Sequence, residues 1–214
     1  MFISIFYTFA FDNLNRDMIQ KTQIEECVFR MISENGIKAV SMDKIAAELK
    51  VSKQSIYSYF PSKKELIHNC IKSNFDIYMS KIERIIKLMP NPLTALVFVA
   101  VDSLIFFSKL SNKFMEDLKE LDDLKDYFAD VKKESDEIGK NFITECYEGK
   151  YLKSLYSAKK LSDEFRESLL CSNEYKSCGS FSKKLAFEVV TNLLYENATF
   201  KGREILNELK ENYA

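Results

Sequence analysis

Apolar residues recur at helical spacing along most of this sequence. Between residues 19 and 34 they occupy Ile24, Cys27, Val28, Met31 and Ile32, the i, i+3, i+4, i+7, i+8 pattern of an amphipathic helix. Only 5 Gly and 3 Pro are available for turns in 214 residues. These features together predict an all-α fold of about nine helices, with few strands or none.

Three short helices are predicted near the N-terminus. The first ends at Asn35-Gly36, the second begins at the N-cap Ser41, and the third begins at the N-cap Ser52. The third helix ends before Pro61, which lacks a backbone N–H. A supporting helix followed by two short helices joined by a tight turn is the form of a helix-turn-helix, whose second helix enters the major groove of DNA.

The predicted third helix lies in a stretch without acidic residues, from Lys50 to Lys64. If Ile56 and Phe60 point inward, the helix exposes side chains that can donate to phosphates and base edges. These are Lys53, Gln54, Ser55, Ser58 and one of the tyrosines Tyr57 and Tyr59. A carboxylate in this position would be repelled by the phosphate charge of DNA. The alternative is that the lysines only solvate a surface and the tyrosines belong to the core.

A long fourth helix follows. Ser62-Lys63-Lys64-Glu65 has the S-x-x-E form of a capping box, and no helix breaker follows until Pro90. A helix of this length would extend roughly 40 Å and would connect two domains. The next segment, LTALVFVAVDSLIFF, is apolar on almost all sides and predicts a helix at the centre of a bundle. Further amphipathic stretches cover roughly 113–121, 124–148, 154–170, 181–199 and 203–213.

The predicted organisation is therefore an N-terminal extension (1–17), a helix-turn-helix domain (18–66) and a C-terminal helical bundle (67–214). The apolar residues 1–11 lack the basic residues and cleavage site of a signal peptide. They are interpreted as an over-extended start or as an arm that packs on the body.

The net charge and the cysteine content argue against two classes of protein, polybasic nucleic-acid binders and disulfide-stabilised proteins. The net charge of −1 argues against a polybasic protein that holds nucleic acid by charge density alone. The 5 cysteines are odd in number, and Cys27 and Cys70 fall on apolar stripes, as free thiols do in a reducing compartment. We expect a cytoplasmic protein without a disulfide framework, a membrane span or a cofactor.

About fifty residues near the N-terminus resemble a known family. The resemblance rests on Thr22, Ile24, Gly36, Val40-Ser41-Met42, Ile45-Ala46, Leu49, Val51-Ser52, Ser55-Ile56-Tyr57, Tyr59-Phe60 and Ser62-Lys63-Lys64-Glu65-Leu66. This pattern is similar to the N-terminal signature of the tetracycline-repressor (TetR) family of bacterial transcription regulators. The remaining two thirds of the chain resembles that family only in length, helical character and helix order.

The resemblance implies a set of DNA contacts. The residues expected to face DNA are Ser41 or Met42, together with Ser52, Lys53, Gln54, Ser55, Tyr57, Ser58 and Tyr59, and Lys63 is expected to hold a phosphate. Two positions depart from the family pattern. Lys50 stands where a turn Gly is usual, and a positive φ there would strain the backbone by about 1 kcal/mol. Gln54 stands where Gly or Pro is common, and its amide is suited to adenine.

The resemblance also implies a homodimer that binds a palindromic operator and leaves it when a small molecule binds the C-terminal domain. The expected dimer contacts are Leu185, Val189, Leu193 and Phe200. The expected pocket residues are Phe98, Asp102, Phe106, Phe107, Tyr127 and Phe128. Both sets could instead belong to a monomer core, and Asp102 could form a salt bridge to a neighbouring helix. A helix-turn-helix dimer without a small-molecule effector, controlled by a protein partner or constitutive, is the alternative function.

Catalysis is not expected. His68 is the single histidine, so every Ser/His/Asp, Cys/His or multi-histidine metal site would need it. Cys171 and Cys178 do not have C-x-x-C spacing, and the sequence has no Gly-rich phosphate loop.

Overall fold

A computed structural model describes residues 21–153 and 182–213 of the chain. The helices in this part are α1 (21–35), α2 (Met42–Leu49), α3 (Lys53–Tyr57), α4 (Lys63–Leu88), α5 (Pro92–Ser108), α6 (Asn112–Lys119), α7 (Lys125–Glu148), α8 (Lys183–Asn197) and α9 (Phe200–Tyr213), with a 3-10 turn at Asp122–Leu124. Within these residues no strand occurs beyond one isolated bridge, between Leu152 and Ala198. The predicted all-α fold is confirmed.

The helices divide into two compact units. The first contains the described residues up to Asp76 and also Ser111–Glu120, and the second contains Ile77–Leu110 and the described residues from Leu121 onward. The boundary lies within α4. The domain limits proposed from the sequence, 18–66 and 67–214, stay a prediction, because compactness does not test which parts fold independently. The predicted extension (1–17), the predicted helix at 154–170, Cys171 and Cys178 lie outside the described residues.

The core of the first unit comes from both ends of its sequence. Val28 and Ile32 of α1, Ile45 of α2 and Ile56 of α3 have no exposed surface. Helix α6 belongs to the same unit, although its segment begins about thirty-five residues after Asp76. The Phe114 ring is fully buried and meets the edge of the Phe29 ring at 6.2 Å between centroids. A segment distant in sequence thus completes the unit that carries α2 and α3.

Helix α5 is the centre of the second unit, as its apolar sequence predicts. It begins at the N-cap Asn91, whose side chain accepts the Thr94 N–H at 2.9 Å, with Pro92 in its first turn. It packs against α7, α8 and α9. The buried side chains on α5 are Leu93, Thr94, Ala95, Leu96, Val97, Ala100, Val101, Leu104 and Ser108.

The end of α7 and the start of α9 are joined by a hydrogen-bonded clasp between residues 149–153 and 197–203. The Thr199 N–H donates to the Tyr151 carbonyl at 3.0 Å, and the Lys153 N–H donates to the Asn197 carbonyl at 2.9 Å. Thr199 Oγ1 donates to the Lys150 carbonyl at 2.6 Å and accepts the Gly202 N–H at 3.2 Å. The sequence predicts a last helix that begins at residue 203. It begins instead at Phe200, because Thr199 caps it there.

The apolar helices do not have the length of a membrane span. In the described part of the chain, no single helix is both long enough and apolar enough to cross a bilayer.

Candidate nucleic-acid interface

Two serine caps start the helices of the predicted helix-turn-helix. Ser41 Oγ accepts the Lys44 N–H at 3.3 Å at the start of α2, and Ser52 Oγ accepts the Ser55 N–H at 3.0 Å at the start of α3. Each cap satisfies a backbone donor that the first helical turn leaves without a partner. The short helices α2 and α3 therefore begin at the residues that the sequence predicts.

The turn between α2 and α3 is tight and left-handed. Lys50 has φ 56° and ψ 39°, and its N–H donates to the Ala47 carbonyl at 3.2 Å. The Val51 N–H donates to the Ala46 carbonyl at 3.0 Å, so the last carbonyls of α2 are satisfied. The positive φ expected at Lys50 is confirmed. A lysine holds a conformation that glycine adopts without strain.

Helix α3 has a buried side and a polar side. Ile56 and Phe60 have no exposed surface, which confirms that they point inward. Tyr57 is 44 % exposed, so its ring is not a core residue. The other exposed residues of this segment are Ser52, Lys53, Gln54, Ser55 and Ser58. In the described part of the chain the Gln54 side chain forms no hydrogen bond, so its amide is available to a partner.

The hydroxyl groups on α3 form local hydrogen bonds. The oxygen atoms of Ser52 and Ser55 lie 2.8 Å apart, and Ser58 Oγ donates to the Ser55 carbonyl at 2.7 Å. A hydroxyl keeps acceptor capacity while it donates, so Ser58 can still accept a further bond.

Lys53 is held by an acidic residue from the preceding helix. Its Nζ lies 2.7 Å from Asp43 Oδ1, and both side chains are largely exposed, at 50 % and 76 %. The hydrogen bond and the negative charge of Asp43 raise the pKa of Lys53. The pair links the first turn of α2 to the first residue of α3, which brings the N-terminal ends of these helices together.

The start of α4 carries the predicted phosphate ligand. Ser62 Oγ accepts the Glu65 N–H at 3.1 Å, which confirms the serine half of the predicted capping box. Lys63 is the first residue of α4 and is partly exposed. Its ammonium group therefore lies at a helix N-terminus, where backbone amides also favour anions.

Three further residues of the predicted contact set are not fully exposed. Met42 is only 7 % exposed, so the expected side-chain contact with DNA is corrected. It belongs to the buried side of α2 together with Ile45 and Ala46, because the three fall at helical spacing. Tyr59 is partly buried, and Ser41 is partly buried where it caps α2.

Asp117 supports this unit, and no sequence pattern points to it. Its side chain is 1 % exposed and accepts the Lys38 N–H at 3.0 Å, in the turn between α1 and α2. Burial raises the pKa of this carboxyl, but the Lys38 amide and the charges of Lys113 and Lys38 outweigh burial and lower the pKa overall. The ammonium groups of Lys38 and Lys113 lie 3.8 and 3.6 Å from Oδ1. Nothing local in the sequence near Lys38 indicates a partner 79 residues later.

Asp102 forms a salt bridge within the second unit. Lys81 Nζ lies 2.6 Å from Asp102 Oδ1, and the aspartate side chain is 16 % exposed. This is the alternative in which the carboxylate pairs with a neighbouring helix. The expected place of Asp102 in a ligand pocket stays a prediction. The carboxylate is neutralised by a lysine because an isolated charge on so apolar a helix would be costly.

The aromatic residues predicted to line a pocket are partly buried and pack in clusters. Phe106 stacks on the Tyr78 ring at 4.3 Å between centroids, and Phe107 meets the edge of the Phe106 ring at 5.4 Å. The centroids of Tyr127 and Phe128 are 5.2 Å apart, and Phe98 lies 6.4 Å from Phe187. Their role in ligand binding stays a prediction.

The predicted dimer residues lie at the edge of the second unit's core. Leu185, Val189 and Leu193 are partly buried, whereas Phe200 is 80 % exposed. The fully buried side of α8 is formed by neighbouring positions, among them Ala186, Val190 and Leu194. Whether this edge pairs with a second copy stays a prediction.

Of the three cysteines in the described part of the chain, Cys70 and Cys146 are buried and Cys27 is partly buried. Cys27, Cys70 and Cys146 are free thiols, which confirms the expectation for the first two. Burial raises the pKa of all three, and that of Cys146 reaches about 12. A thiol protonated at neutral pH is a poor nucleophile. In the same residues, no group of three or more His, Cys, Asp or Glu side chains could hold a metal ion.

Comparisons with known proteins agree with this arrangement. Residues 29–70 match the family model described as bacterial regulatory proteins, tetR family. The chain is also similar to an HTH-type transcriptional regulator of Staphylococcus aureus (strain USA300), with 29 % identity over 65 residues. That alignment covers 30 % of this chain and 35 % of the relative, so it spans about a third of the relative's length.

Two solved structures share the fold over most of the chain. The ketosteroid transcriptional regulator KstR2 of Mycobacterium tuberculosis has a TM-score of 0.71 and 16 % identity, with 84 % of this chain and 95 % of that chain covered. AibR, solved with isovaleryl coenzyme A and operator DNA, has a TM-score of 0.64 and 17 % identity, with 81 % and 97 % covered. Residues 29–70 are thus similar to the tetR family of bacterial regulatory proteins, and most of the chain shares the fold of these two solved structures.

Proposed function

We propose that this protein is a transcriptional repressor that binds a palindromic operator as a homodimer and is released by a small molecule. The observation that carries the proposal is the polar side of α3. Ile56 and Phe60 form the buried side of this segment. Lys53, Gln54 and Tyr57 are exposed and form its polar surface. This surface lies within the residues that match the family model.

The charge of this surface suits the DNA backbone. Neutralisation of phosphates by lysine releases counterions, so each such contact contributes to affinity and to its salt dependence. Lys63 at the start of α4 is positioned as a phosphate contact, and Lys50 is exposed in the turn. The net charge of −1 for the whole chain does not oppose this, since the basic residues are concentrated locally.

Gln54 is the residue proposed to read a base. It is the second residue of α3, and the N-terminal residues of a recognition helix are those that reach base edges. A glutamine amide can pair with the N6 and N7 atoms of adenine through two hydrogen bonds. Its side chain is exposed and its amide is available, so no existing bond has to be broken first.

A homodimer is proposed because two recognition helices must enter successive major grooves about 34–36 Å apart. The apolar ring of Phe200 is 80 % exposed, and Leu193 and Val189 of the preceding helix are only partly buried. Side chains like these mark an interaction surface where they form a contiguous apolar patch. A second copy of the chain would bury them.

The effector is proposed to be an acyl-coenzyme A, and the proposal rests on similarity to AibR, which was solved with isovaleryl coenzyme A. The binding site would be in the second unit among the aromatic residues of α5 and α7. Because Asp102 is paired with Lys81, recognition would depend on apolar contacts rather than on this carboxylate. The effector would act by binding one conformation of the repressor more tightly than the other.

The DNA-binding proposal is tested by selecting duplexes from a random pool with the purified protein at low salt. We expect enrichment of a palindrome whose half-sites are separated by about one helical turn. Absence of any enrichment at low salt, where electrostatic binding is strongest, would contradict the proposal.

The effector is tested on the selected duplex with isovaleryl coenzyme A, with free coenzyme A as the control. We expect the acyl form alone to release the protein from DNA. If neither compound changes binding, the helix-turn-helix dimer without a small-molecule effector becomes the better description.

A further inference from the structure

The ion pair between Asp43 and Lys53 introduces an acidic residue into a surface that the sequence leaves free of acids. No Asp or Glu lies between Lys50 and Lys64, but the fold brings the carboxylate of Asp43 to 2.7 Å from Lys53 Nζ. Asp43 remains 76 % exposed. The first residue of α3 is therefore not a free cation, although it is a lysine on the surface proposed to bind DNA.

A carboxylate in this position has two effects on a neighbouring lysine. It opposes close approach of phosphate, because like charges repel, and it restrains the ammonium group near the first turn of α2. A lysine without such a partner moves on a flexible stem of four carbons and contacts any phosphate within reach. The raised pKa of Lys53 agrees with a close interaction between the two groups.

We propose that Asp43 is a specificity-determining, positioning residue that restrains Lys53 from the phosphate backbone and directs it toward a base edge. This deepens the proposed DNA-binding function and rests on it. Lysine Nζ can donate to the O6 and N7 atoms of guanine, and a lysine at the start of a recognition helix is within reach of base edges. The paired lysine contributes little to binding of unrelated DNA and more to binding of the operator.

The test compares the wild type with Asp43→Asn on two duplexes, one selected from the random pool and one of unrelated sequence. Removing the charge frees Lys53 to bind phosphate. We expect affinity for the unrelated duplex to rise about fivefold at low salt, and its logarithmic salt dependence to steepen by about 0.9, the value for one further phosphate contact. Affinity for the selected duplex changes less, so the ratio between the two falls.

A second variant separates positioning from simple repulsion. In the Lys53→Met background, Asp43→Asn should have no effect on the salt dependence, because the residue through which Asp43 acts is gone. An unchanged effect in that background would show that Asp43 repels DNA directly and would overturn the proposal.

A matched pair elsewhere in the chain serves as the control. Asp122 and Lys125 form an ion pair at 2.5 Å with side chains 78 % and 65 % exposed, in the second unit. Asp122→Asn makes the same change in total charge and should leave both affinities unchanged. If Asp43→Asn and Asp122→Asn change DNA binding equally, the proposal is overturned. It is also overturned if the wild type discriminates between the duplexes and Asp43→Asn binds both as the wild type does. If the wild type does not discriminate between the duplexes, the proposed function fails, and this inference fails with it.

Discussion

Among the described residues, each of the two units contains one lysine in the left-handed conformation at the end of a helix. The surroundings of these two lysines differ. Lys50 follows α2 with φ 56°, and its amide bonds to carbonyls of that same helix. Lys150 follows α7, also with φ 56°, but its carbonyl accepts a bond from Thr199, 49 residues later. Both turns are closed by bonds to their own helix, since the Lys150 N–H also donates to the Tyr147 carbonyl at 3.0 Å. The second turn is bonded to the clasp as well.

The surface proposed to bind DNA and the second unit also differ in how far apart in sequence their contacting residues are. The caps, the turn and the exposed side of α3 arise from residues at most a few positions apart, so the surface proposed to bind DNA is locally encoded. The second unit is built from contacts between α5, α7, α8 and α9, which are far apart in sequence. Variants in the clasp, in α6 and in the two turns test this contrast, and their expected effects decrease in that order.

The largest effect is expected from Gly202→Ala in the clasp. A Cβ at this position would overlap the carbonyl oxygen of Tyr151, which is backbone and cannot rotate away. We expect a loss of about 3 kcal/mol in the free energy of unfolding, measured by chemical denaturation. Gly139→Ala is the control, because nothing lies within 4 Å of the added methyl group in the middle of α7. That variant should gain up to about 1 kcal/mol. Equal behaviour of the two variants would rule out the clasp as a constraint.

Asp117→Ala tests the long-range contact between α6 and the turn that joins α1 to α2. Loss of a buried acceptor leaves the Lys38 amide without its partner, so we expect a loss of about 2 kcal/mol at neutral pH. Because folding lowers the pKa of Asp117, its contribution is present above about pH 4 and is lost as the pH falls through the folded-state pKa. The difference from the wild type should therefore shrink in acid.

Glu116→Ala is the matched control on the same helix. The Glu116 side chain is 67 % exposed, and its truncation should change stability by less than about 0.5 kcal/mol at any pH. A destabilisation by Glu116→Ala as large as that of Asp117→Ala would show that α6 tolerates no change and that the buried carboxylate has no special role.

The smallest effect is expected from Lys50→Gly. Relief of the left-handed strain is worth about 1 kcal/mol, and the added freedom of glycine in the unfolded chain offsets part of it. We expect a net gain of about 0.5 kcal/mol from Lys50→Gly and a similar gain from Lys150→Gly, because φ is the same at both positions. Lys50→Ala keeps the strain and should not gain. Destabilisation by Lys50→Gly would mean that the lysine side chain contributes more than the strain removes.

Features that depend on neighbouring residues can be predicted from the sequence, whereas features that depend on contacts between distant residues cannot. The N-caps Ser41 and Ser52, the positive φ at Lys50 and the inward orientation of Ile56 follow from residue type and spacing. The family resemblance implies that Ser41 or Met42 faces DNA, but helical spacing places the Met42 side chain in the core. Adjacent residues point to different sides of a helix, so Met42 can be buried although its neighbour Ser41 is only partly buried.

Long-range contacts account for the remaining differences. Neither the pairing of Asp43 with Lys53 nor that of Asp117 with the Lys38 amide has a local signal, because each joins residues of different elements. The predicted start of α9 is wrong because Gly202 has the character of a helix break in the sequence. In the structure Gly202 is the residue that allows α9 to approach the Tyr151 carbonyl.

We propose that the polar side of α3 reads base edges and that the start of α4 contacts phosphate. Titration of labelled duplexes over a range of salt concentrations tests this most directly. Lys63→Ala should weaken binding to every duplex by the same factor and reduce the logarithmic salt dependence by about 0.9. Gln54→Ala should leave the salt dependence unchanged and lose discrimination at one base pair, at about 1–3 kcal/mol. If both variants bind every duplex as the wild type does, this surface does not contact DNA.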